Sequence, residues 1–477
     1  MTFINKTGQI EKTTFGVIVG NRDVFPDHLA KDGRVEIINV LKELGYEHII
    51  LGENDTEFGV VRSYEDAKKC AQLFKENREK IGGILVILPN FGDEKGIVNT
   101  IKMANLNVPI LIQASSDEVD KMNQQWRRDA FCGKISVTNV LYQHGIPFSL
   151  TDTHTCPINS KEFKADIKKF DKVCRIVNKI RSARLGQIGT RPDAFSTVRY
   201  SEKILEFNGM TVDVMDLSEV LAAIKELKDD DENVKEKLDY LKSYTSTTTF
   251  LEEGVLKLAK LIVVIENWIL ENDLDGFAFQ CWPSIQDNFG IVPCAALSVF
   301  SESLVPAACE VDISGLVAML ILQCASEMPS AILDWNNNYG DDPNKMVLFH
   351  CSNFPKSHLE ETEMKTHDII SSVKEPDITF GTIQGRVKSG PCTLLRVETD
   401  DILGEMKAII AEGEYTTDPL NTYGGYGVVE VENLQNLLKV LCYEGFAHHV
   451  AGTLKEVADI IIEALTVYLD WNVITHS

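Results

Sequence analysis

Residues 305–335 read VPAACEVDISGLVAMLILQCASEMPSAILDW, and this stretch decides the fold class. An apolar run ends at Glu310, a segment long enough for one crossover helix follows, and a second apolar run ends at Asp334. This order predicts two parallel, neighbouring strands joined by a helix. Both carboxylates would then lie at the carboxyl ends of strands, where open α/β sheets bind their ligands.

The same alternation of strands and helices extends on both sides of this stretch. The apolar strand candidates, which alternate with amphipathic helical segments, include TFGVIVGN (14–21), GGILVILP (82–89), VPILIQA (108–114), LGQIGT (185–190), MTVDVMDL and LDGFAFQC. From about residue 356, DITFGTIQGRVKSGPCTLLRVETDD alternates in the manner of antiparallel β hairpins. We therefore predict an α/β protein with two doubly wound parallel-sheet domains, 1–165 and 166–355, followed by a β-rich domain with a terminal helix, 356–477.

The composition favours a small neutral ligand or a cation over a polyanion. The 477 residues include 47 Lys and Arg against 71 Asp and Glu, so the formal net charge is −24. Such a charge opposes binding to nucleic acid and to acidic lipid surfaces. With 477 residues, of which 44% are hydrophobic, the chain can bury more than one hydrophobic core.

Cysteine usage and the N-terminus predict a cytoplasmic protein. The eleven cysteines are scattered, odd in number and never spaced as C-x-x-C, which argues against a disulfide framework and a zinc ribbon. The N-terminal MTFINKTGQIEKTTFG has no apolar signal core, and no run reaches the ~18 apolar residues that a membrane span needs. We expect neither secretion nor membrane insertion.

The two strand-end acids form the first candidate site. Neighbouring strands are ~4.8 Å apart, so Glu310 and Asp334 would be close enough to share a cation or to flank one substrate. A shared proton or a divalent metal would relieve their repulsion, and a pair of hard oxygen ligands suits Mg²⁺ or Mn²⁺, with an added imidazole favouring Mn²⁺. The residues alone are equally compatible with Glu310 capping the following helix and Asp334 capping a turn.

Three of the ten histidines are candidates for that imidazole. His350 ends the apolar run MVLFH, and His448 and His449 are adjacent in YEGFAHHVAGT. Adjacent residues on a strand point to opposite faces, so one of this pair would be a ligand and the other a neighbour. Their spacing does not match the i, i+4 pattern of a helical zinc site.

The segments CEVDISG, ILDWNN and AHHVAG resemble the metal-binding segments of the L-fucose isomerase and L-arabinose isomerase family. The resemblance covers most of the chain, because two α/β domains and a β-rich domain follow in the same order. Family members are aldose–ketose isomerases. Asp334 is similar to the fucose isomerases, since arabinose isomerases carry Glu at that position.

The resemblance implies both a site and a reaction. Carried over residue by residue, it makes Glu310, Asp334 and His449 metal ligands, and it makes Glu310 and Asp334 the acid/base pair of an enediol mechanism. His350 resembles an additional ligand of arabinose isomerases. The implied cofactor is Mn²⁺, with Mg²⁺ and Co²⁺ as alternatives. The implied partners are a free sugar and further copies of the chain, in a trimer or hexamer with sites near subunit interfaces.

Five side chains are candidates for sugar contacts. Arg22 in VGNRDVFP and the pair Gln280 and Trp282 in FAFQCWPS follow predicted strands, where a ligand would lie. Trp126 in NQQWRRDAFCG would stack on a sugar from a neighbouring subunit, and His448 would contact the sugar beside His449. Arg22 is equally compatible with a surface ion pair, and Trp126 with a core aromatic.

Three other classes fit the sequence less well. A non-catalytic cytosolic sugar-binding protein built on two α/β lobes would explain residues 1–355 but not the β-rich domain. A dinucleotide-dependent dehydrogenase would need G-x-G-x-x-G after its first strand, where this chain has IVGNRDVF. A hydrolase using Cys309 would need a basic group to lower the pKa of the thiol, and the neighbouring residues supply none. The identity of the sugar and the division of acid and base roles stay open.

Overall fold

The structure is a computed structural model that describes residues 11–245 and 252–476. It divides into two compact units. The first comprises Glu11–Lys179 and Glu463–Asp470, and the described part of the second lies in residues 180–462 and 471–476. No helix in the described ranges is long and apolar enough to cross a membrane.

The first unit is built on a parallel five-stranded sheet with the order β2-β1-β3-β4-β5. Its strands are β1 (Thr14–Val19), β2 (His48–Ile50), β3 (Ile81–Leu88), β4 (Ile110–Ala114) and β5 (Ser149–Leu150), and its helices are α1 (Asp27–Leu44), α2 (Tyr64–Glu76), α3 (Glu94–Ala104), α4 (Ala130–Gln143) and α5 (Lys161–Ile180). The central strands are almost wholly buried, as parallel strands covered on both faces are. The predicted fold of the first α/β domain, a parallel sheet with helices, is thus confirmed.

The second unit begins with a parallel four-stranded sheet of order β7-β6-β8-β9. Its strands are β6 (Arg184–Ile188), β7 (Thr211–Met215), β8 (Gly276–Phe279) and β9 (Ala307–Cys309). The helices of this part are α6 (Glu202–Phe207), α7 (Leu217–Glu226), α8 (Glu232–Tyr244), α9 (Glu252–Glu271), α10 (Ser284–Phe289), α11 (Cys294–Glu302) and α12 (Ile313–Ser326). The predicted second parallel sheet is therefore also confirmed.

The remaining strands form a nine-stranded, mostly antiparallel sheet with the order β12-β13-β16-β11-β10-β17-β14-β15-β18. They are β10 (Ala331–Asn338), β11 (Lys345–His350), β12 (Glu363–Thr366), β13 (Phe380–Arg386), β14 (Gly390–Asp400), β15 (Glu405–Tyr415), β16 (Gly425–Glu430), β17 (His449–Thr453) and β18 (Asn472–His476). An additional pairing of β15 with β16 closes six of these strands into a barrel. Closure removes the two sheet edges that these strands would otherwise expose.

The helical part of this region differs from the prediction in its form. Helix α13 (Leu434–Tyr443) lies between β16 and β17 in the chain, and α14 (Ala458–Glu463) follows β17. A π-helical turn over Ala464–Tyr468 continues α14. The predicted terminal helix corresponds to α14 and this π-helical turn, which begin after β17 ends at Thr453. The predicted domain ranges 1–165, 166–355 and 356–477 stay predictions.

The predicted parallel pairing of the two acid-bearing strands is wrong. Strand β10, which carries Asp334, pairs antiparallel with β11 and β17 in the barrel, while β9 belongs to the parallel sheet. The physical reason is the short connection between β10 and β11, because strands joined by a few residues fold back on each other. Asp334 therefore does not lie at the carboxyl end of a parallel strand.

Helix α12 connects the two sheets instead of crossing one of them. All of its residues are buried, which is typical of a helix enclosed on every side. It contacts β8 and β9 of the parallel sheet and β14 and β17 of the barrel. The N-terminus of this helix consequently lies where the end of β9 approaches the start of β17.

Candidate active site

The candidate site is assembled from the segment after β9 and from two barrel strands. Glu310 directly follows β9, and its backbone has a φ of 61°, in the left-handed region. Asp334 on β10 is the direct antiparallel partner of His449 on β17, so these two side chains share one face of the barrel wall. Sequence motifs separated by more than a hundred residues thus converge.

The centre of the cluster is the Nε2 atom of His449. It lies 3.0 Å from Glu310 Oε2 and 3.6 Å from Asp334 Oδ1. The contact with Glu310 lacks hydrogen-bond geometry, so Glu310 Oε2 and His449 Nε2 are buried without a hydrogen-bond partner among the described residues. Two buried atoms that can bind a metal and that face each other without a hydrogen bond are suited to share a cation.

The carboxylate oxygens and imidazole nitrogens of the cluster, which can bind a metal, form two triads that share His449. Glu310, His350 and His449 place one ligand atom each within 4.8 Å of one another, and so do Asp334, His448 and His449. His350 ends β11 and is almost completely buried, with its ring 5.6 Å from that of His449. The structure therefore brings together the four predicted metal ligands, with His449 common to both triads.

A buried charge network behind His449 was not predicted. Asp312 accepts a hydrogen bond of 2.8 Å from His449 Nδ1 and is paired with Arg396 through both terminal guanidinium nitrogens, Nη1 and Nη2. Arg396 also donates to Glu398 Oε1 at 2.7 Å. This arrangement fixes the imidazole so that Nε2 faces the two carboxylates, which is the usual role of an outer partner at a metal-binding histidine. The signal was present in CEVDISG, which contains Asp312.

A glycine lets this network form at the start of α12. Gly315 N donates to Asp312 Oδ1 at 2.8 Å, so Asp312 caps the helix while it orients His449. A Cβ at position 315 would lie 2.4 Å from Asp312 Oδ2. A side chain at this position would therefore force the carboxylate away from the imidazole.

The charges of the cluster shift the pKa values of its members. Burial alone would lower the pKa of His449, but the hydrogen bond to Asp312 and the nearby Glu310 carboxylate raise it to about 10. Burial would raise the pKa of Glu310, but His449 and His350 outweigh it and lower that pKa. Burial likewise opposes ionisation of Asp312, yet Arg396 and His449 hold its pKa well below the usual range. The buried acids and the basic side chains beside them therefore stabilise one another's charged forms.

Aromatic rings border the cluster on the side of β8. Trp282 Nε1 donates to Glu310 Oε1 at 3.3 Å. The ring of Phe195 makes edge contacts with both Trp282, at 5.6 Å, and His448, at 5.5 Å. Phe195 was not predicted, because the loop that carries it has no periodic pattern. Two predicted sugar-contact residues, Trp282 and His448, thus lie at the site.

The other predicted contact residues interact with side chains or backbone groups outside the cluster. Gln280 accepts a hydrogen bond of 3.0 Å from Thr190 N and therefore fastens the loop after β6. Arg22 and Trp126 belong to the first compact unit. Arg22 pairs with Glu94, and the ring of Trp126 makes an edge contact with His28 at 4.9 Å. Their roles in sugar binding stay predictions.

Comparisons with known proteins match both ends of the chain. A family model described as Fucose/sulfoquinovose isomerase, N-terminal domain, matches residues 16–181, and one described as L-fucose isomerase, C-terminal domain, matches residues 348–477. The chain belongs to the fucose isomerase family. It is accordingly an aldose–ketose isomerase, and the alternative of a non-catalytic sugar-binding protein is set aside. Glu310 and Asp334 lie between the two matched ranges, so their roles rest on motif and geometry.

Curated relatives carry the same kind of name. Proteins named sulfoquinovose isomerase from Priestia aryabhattai and Priestia megaterium are each 24% identical over 409 residues, which is 85% of this chain and 87% of theirs. One from Alkalicoccus urumqiensis is 24% identical over 59% of this chain and 62% of its own. A solved structure of isoflavone reductase aligns with 53% of this chain and 87% of its own at 12% identity, with a TM-score of 0.20, too low to indicate a shared fold.

Removing the charge of Asp312 is expected to destabilise the protein. In Asp312→Asn, Arg396 would keep only Glu398 as a buried acidic partner, and breaking a buried ion pair costs about 3–5 kcal/mol. The midpoint of urea unfolding should fall accordingly. Asp239→Asn, at an exposed position on α8, is the matched control and should leave it unchanged. An unchanged midpoint in Asp312→Asn would contradict a stabilising role of the network.

Proposed function

We propose that this chain is a metal-dependent isomerase of an anionic, sulfonated aldose, with Glu310 and Asp334 as the acid/base pair. The observation that carries the proposal is the approach of both carboxylates to His449 Nε2, at 3.0 and 3.6 Å, together with the missing hydrogen-bond partner of Glu310 Oε2. Two carboxylates and an imidazole nitrogen that converge in this way are suited to hold a divalent cation between them.

The cation would be held by the predicted ligands. Glu310, Asp334 and His449 offer two carboxylates and an imidazole, and His350 offers a second imidazole close to Glu310. Hard oxygen ligands mixed with nitrogen favour Mn²⁺, with Mg²⁺ and Co²⁺ as alternatives. When bound, the cation would stabilise the negative charge that develops on the sugar oxygens at C1 and C2.

The chain's own carboxylates would move the protons. Isomerisation removes the proton at C2, returns a proton at C1 and shifts a hydroxyl proton between the two oxygens. Because the pKa of Glu310 is lowered, Glu310 is an ionised carboxylate at neutral pH and able to accept a proton. Asp334 is more exposed than Glu310, with 22% of its side chain accessible, and faces the same histidine from β10. The two acids would therefore reach the substrate from different elements, Glu310 from the turn after β9 and Asp334 from β10.

The aromatic rings would shape the sugar pocket. Trp282, Phe195 and His448 form a connected set of rings beside Glu310. Rings of this kind pack against the C–H faces of a sugar and exclude water from an enediol. Arg22 is proposed to contact the sugar, and Trp126 to contribute from a neighbouring subunit of a homo-oligomer. Light scattering on the purified protein would measure the predicted trimer or hexamer.

The names of the relatives motivate the sulfonated substrate. Two arginines on the loop that carries Phe195 support it, because Arg191 and Arg199 donate only to backbone carbonyls among the described residues. Both line a cavity of about 860 Å³, which is also lined by Val311, the neighbour of Glu310, by Lys407 and by several carboxylates. Guanidinium groups without a carboxylate partner are suited to bind a sulfonate.

A panel of sugars tests the substrate. The metal-stripped protein, reloaded with Mn²⁺, is incubated with sulfoquinovose, glucose, L-fucose and L-arabinose, and ketose is measured. We expect turnover only with metal and a kcat/KM at least about tenfold higher for the sulfonated sugar, since charge-assisted hydrogen bonds each contribute ~1.5–3 kcal/mol. Arg191→Gln should reduce this preference. Faster turnover of a neutral sugar would contradict the substrate assignment.

Substitution of the carboxylates tests the acid/base pair. Glu310→Gln and Asp334→Asn should each lower kcat by at least about 10²-fold, because a positioned proton-transfer group contributes ~10²–10⁴-fold. Asp341→Asn, on the exposed turn after β10, is the control and should keep full activity. Circular dichroism should show that all three variants are folded. Activity retained in either site variant would refute its role.

The two histidines should differ in metal retention. His449→Ala removes the imidazole common to both triads, so elemental analysis after dialysis should show loss of bound Mn²⁺. His448→Ala removes a side chain that is 41% exposed and should retain most of the metal. Equal retention in the two variants would contradict the assignment of His449 as the central ligand.

A further inference from the structure

Four of the eleven cysteines adjoin the candidate site, and the proposed mechanism uses none of them. Cys309 directly precedes Glu310, and Cys281 follows the neighbouring strand β8. Cys351 directly follows His350, and its Sγ lies 3.5 Å from His350 Nδ1. Cys294, the first residue of α11, contacts Cys351. Soft sulfur ligands thus lie next to a site whose proposed ligands are carboxylates and imidazoles.

One pair of thiols shares a carboxylate with the proposed catalytic site. The ligand atoms of Cys281, Cys309 and Glu310 lie within 4.8 Å of one another, and all three residues are buried. The parallel register of Phe279 with Cys309 sets this geometry, because it places the ends of β8 and β9 side by side. The same Glu310 also belongs to the triad with His350 and His449.

We propose that Cys281, Cys309 and Glu310 form a second metal position, selective for a thiophilic divalent cation such as Zn²⁺ or Cd²⁺. A cation in this position takes Glu310 away from the acid/base role and therefore inhibits the isomerase. The inhibition, but not the binding, rests on the proposed function.

The ligand chemistry separates the two positions. Thiolates select Zn²⁺ over Mn²⁺, which prefers oxygen and lies at the weak end of the affinity series. Zinc–sulfur bonds are ~2.3 Å long, so two sulfurs on one tetrahedral cation are about 3.8 Å apart. The ligand atoms of the triad lie within 4.8 Å of one another, so only a small approach of the two sulfurs is needed to reach that spacing. Binding releases the two thiol protons to solvent and leaves a fourth position for water.

Proximity to a buried carboxylate distinguishes this pair from cysteines that serve only as small apolar core residues. Cys392, for comparison, is completely buried in β14 and belongs to no such group among the described residues. It provides a matched control. Cys132 and Cys442 are exposed and would bind soft metals without specificity, so all variants are made in a Cys132→Ser, Cys442→Ser background.

The first experiment measures binding without activity. The metal-stripped full-length protein is titrated with Co²⁺ and separately with Cd²⁺, and the thiolate-to-metal charge-transfer absorption is recorded. We expect the band in the background protein and in Cys392→Ser, and its loss in Cys281→Ser and in Cys309→Ser. No band in the background protein, or a band that survives in both serine variants, would overturn the proposal.

The second experiment measures the link to Glu310. Zn²⁺ is added to the Mn²⁺-loaded protein during turnover, and the inhibition constant is determined. Cys281→Ser and Cys309→Ser should weaken inhibition by at least about tenfold, the minimum cost of losing even an outer partner of a metal site. Binding without inhibition would refute the sharing of Glu310. Absent turnover with an intact charge-transfer band would instead refute the proposed function alone.

Discussion

The hydrogen bond between His449 Nδ1 and Asp312 is the interaction on which the site depends. It is 2.8 Å long, it joins β17 of the barrel to the start of α12, and both side chains are buried. A buried carboxylate would be costly alone, but the bidentate pair with Arg396 and the helix N–H of Gly315 stabilise its charge. Because this bond occupies Nδ1, only Nε2 can face Glu310 and Asp334. The orientation of one imidazole therefore determines which side of the ring can bind a cation.

Backbone strain at the end of β9 also helps to orient the groups of the site. Glu310 and Val311 both have left-handed backbones, with φ of 61° and 59°. This conformation costs roughly 1–2 kcal/mol per non-glycine residue, and it is least favourable for a β-branched side chain such as Val311. Val311 N donates to Phe279 O at 3.3 Å, and Asp312 N donates to Cys309 O at 3.1 Å, so the turn is held by the sheet itself. The turn directs Glu310 toward the barrel instead of along the strand.

Much of the fold and of the site could be predicted from the sequence, although part of the reasoning was wrong. Alternating apolar strands and helices revealed both parallel sheets, because a buried strand reads as an apolar run. Glu310, Asp334, His350 and His449 were found from motifs and do converge. The predicted reason for their proximity was incorrect, however, since Asp334 reaches the site through an antiparallel strand of the barrel. Local periodicity does not show which sheet a strand will join.

The residues that the sequence did not reveal are those whose role depends on partners distant in the chain. Arg396 lies in LLRVETD, where an arginine followed by alternating polar residues reads as a solvent-facing position of a strand. It is instead completely buried, and its partner Asp312 is 84 positions away. Helix α12 connects the two parts of the site. It packs on one side against the parallel sheet, whose strand β9 is followed by Glu310, and on the other side against the barrel, which carries His449. A change in the packing of that helix would therefore alter the distance between Glu310 and His449 even if neither residue were substituted. The geometry of the site thus depends on apolar packing as much as on its charged groups.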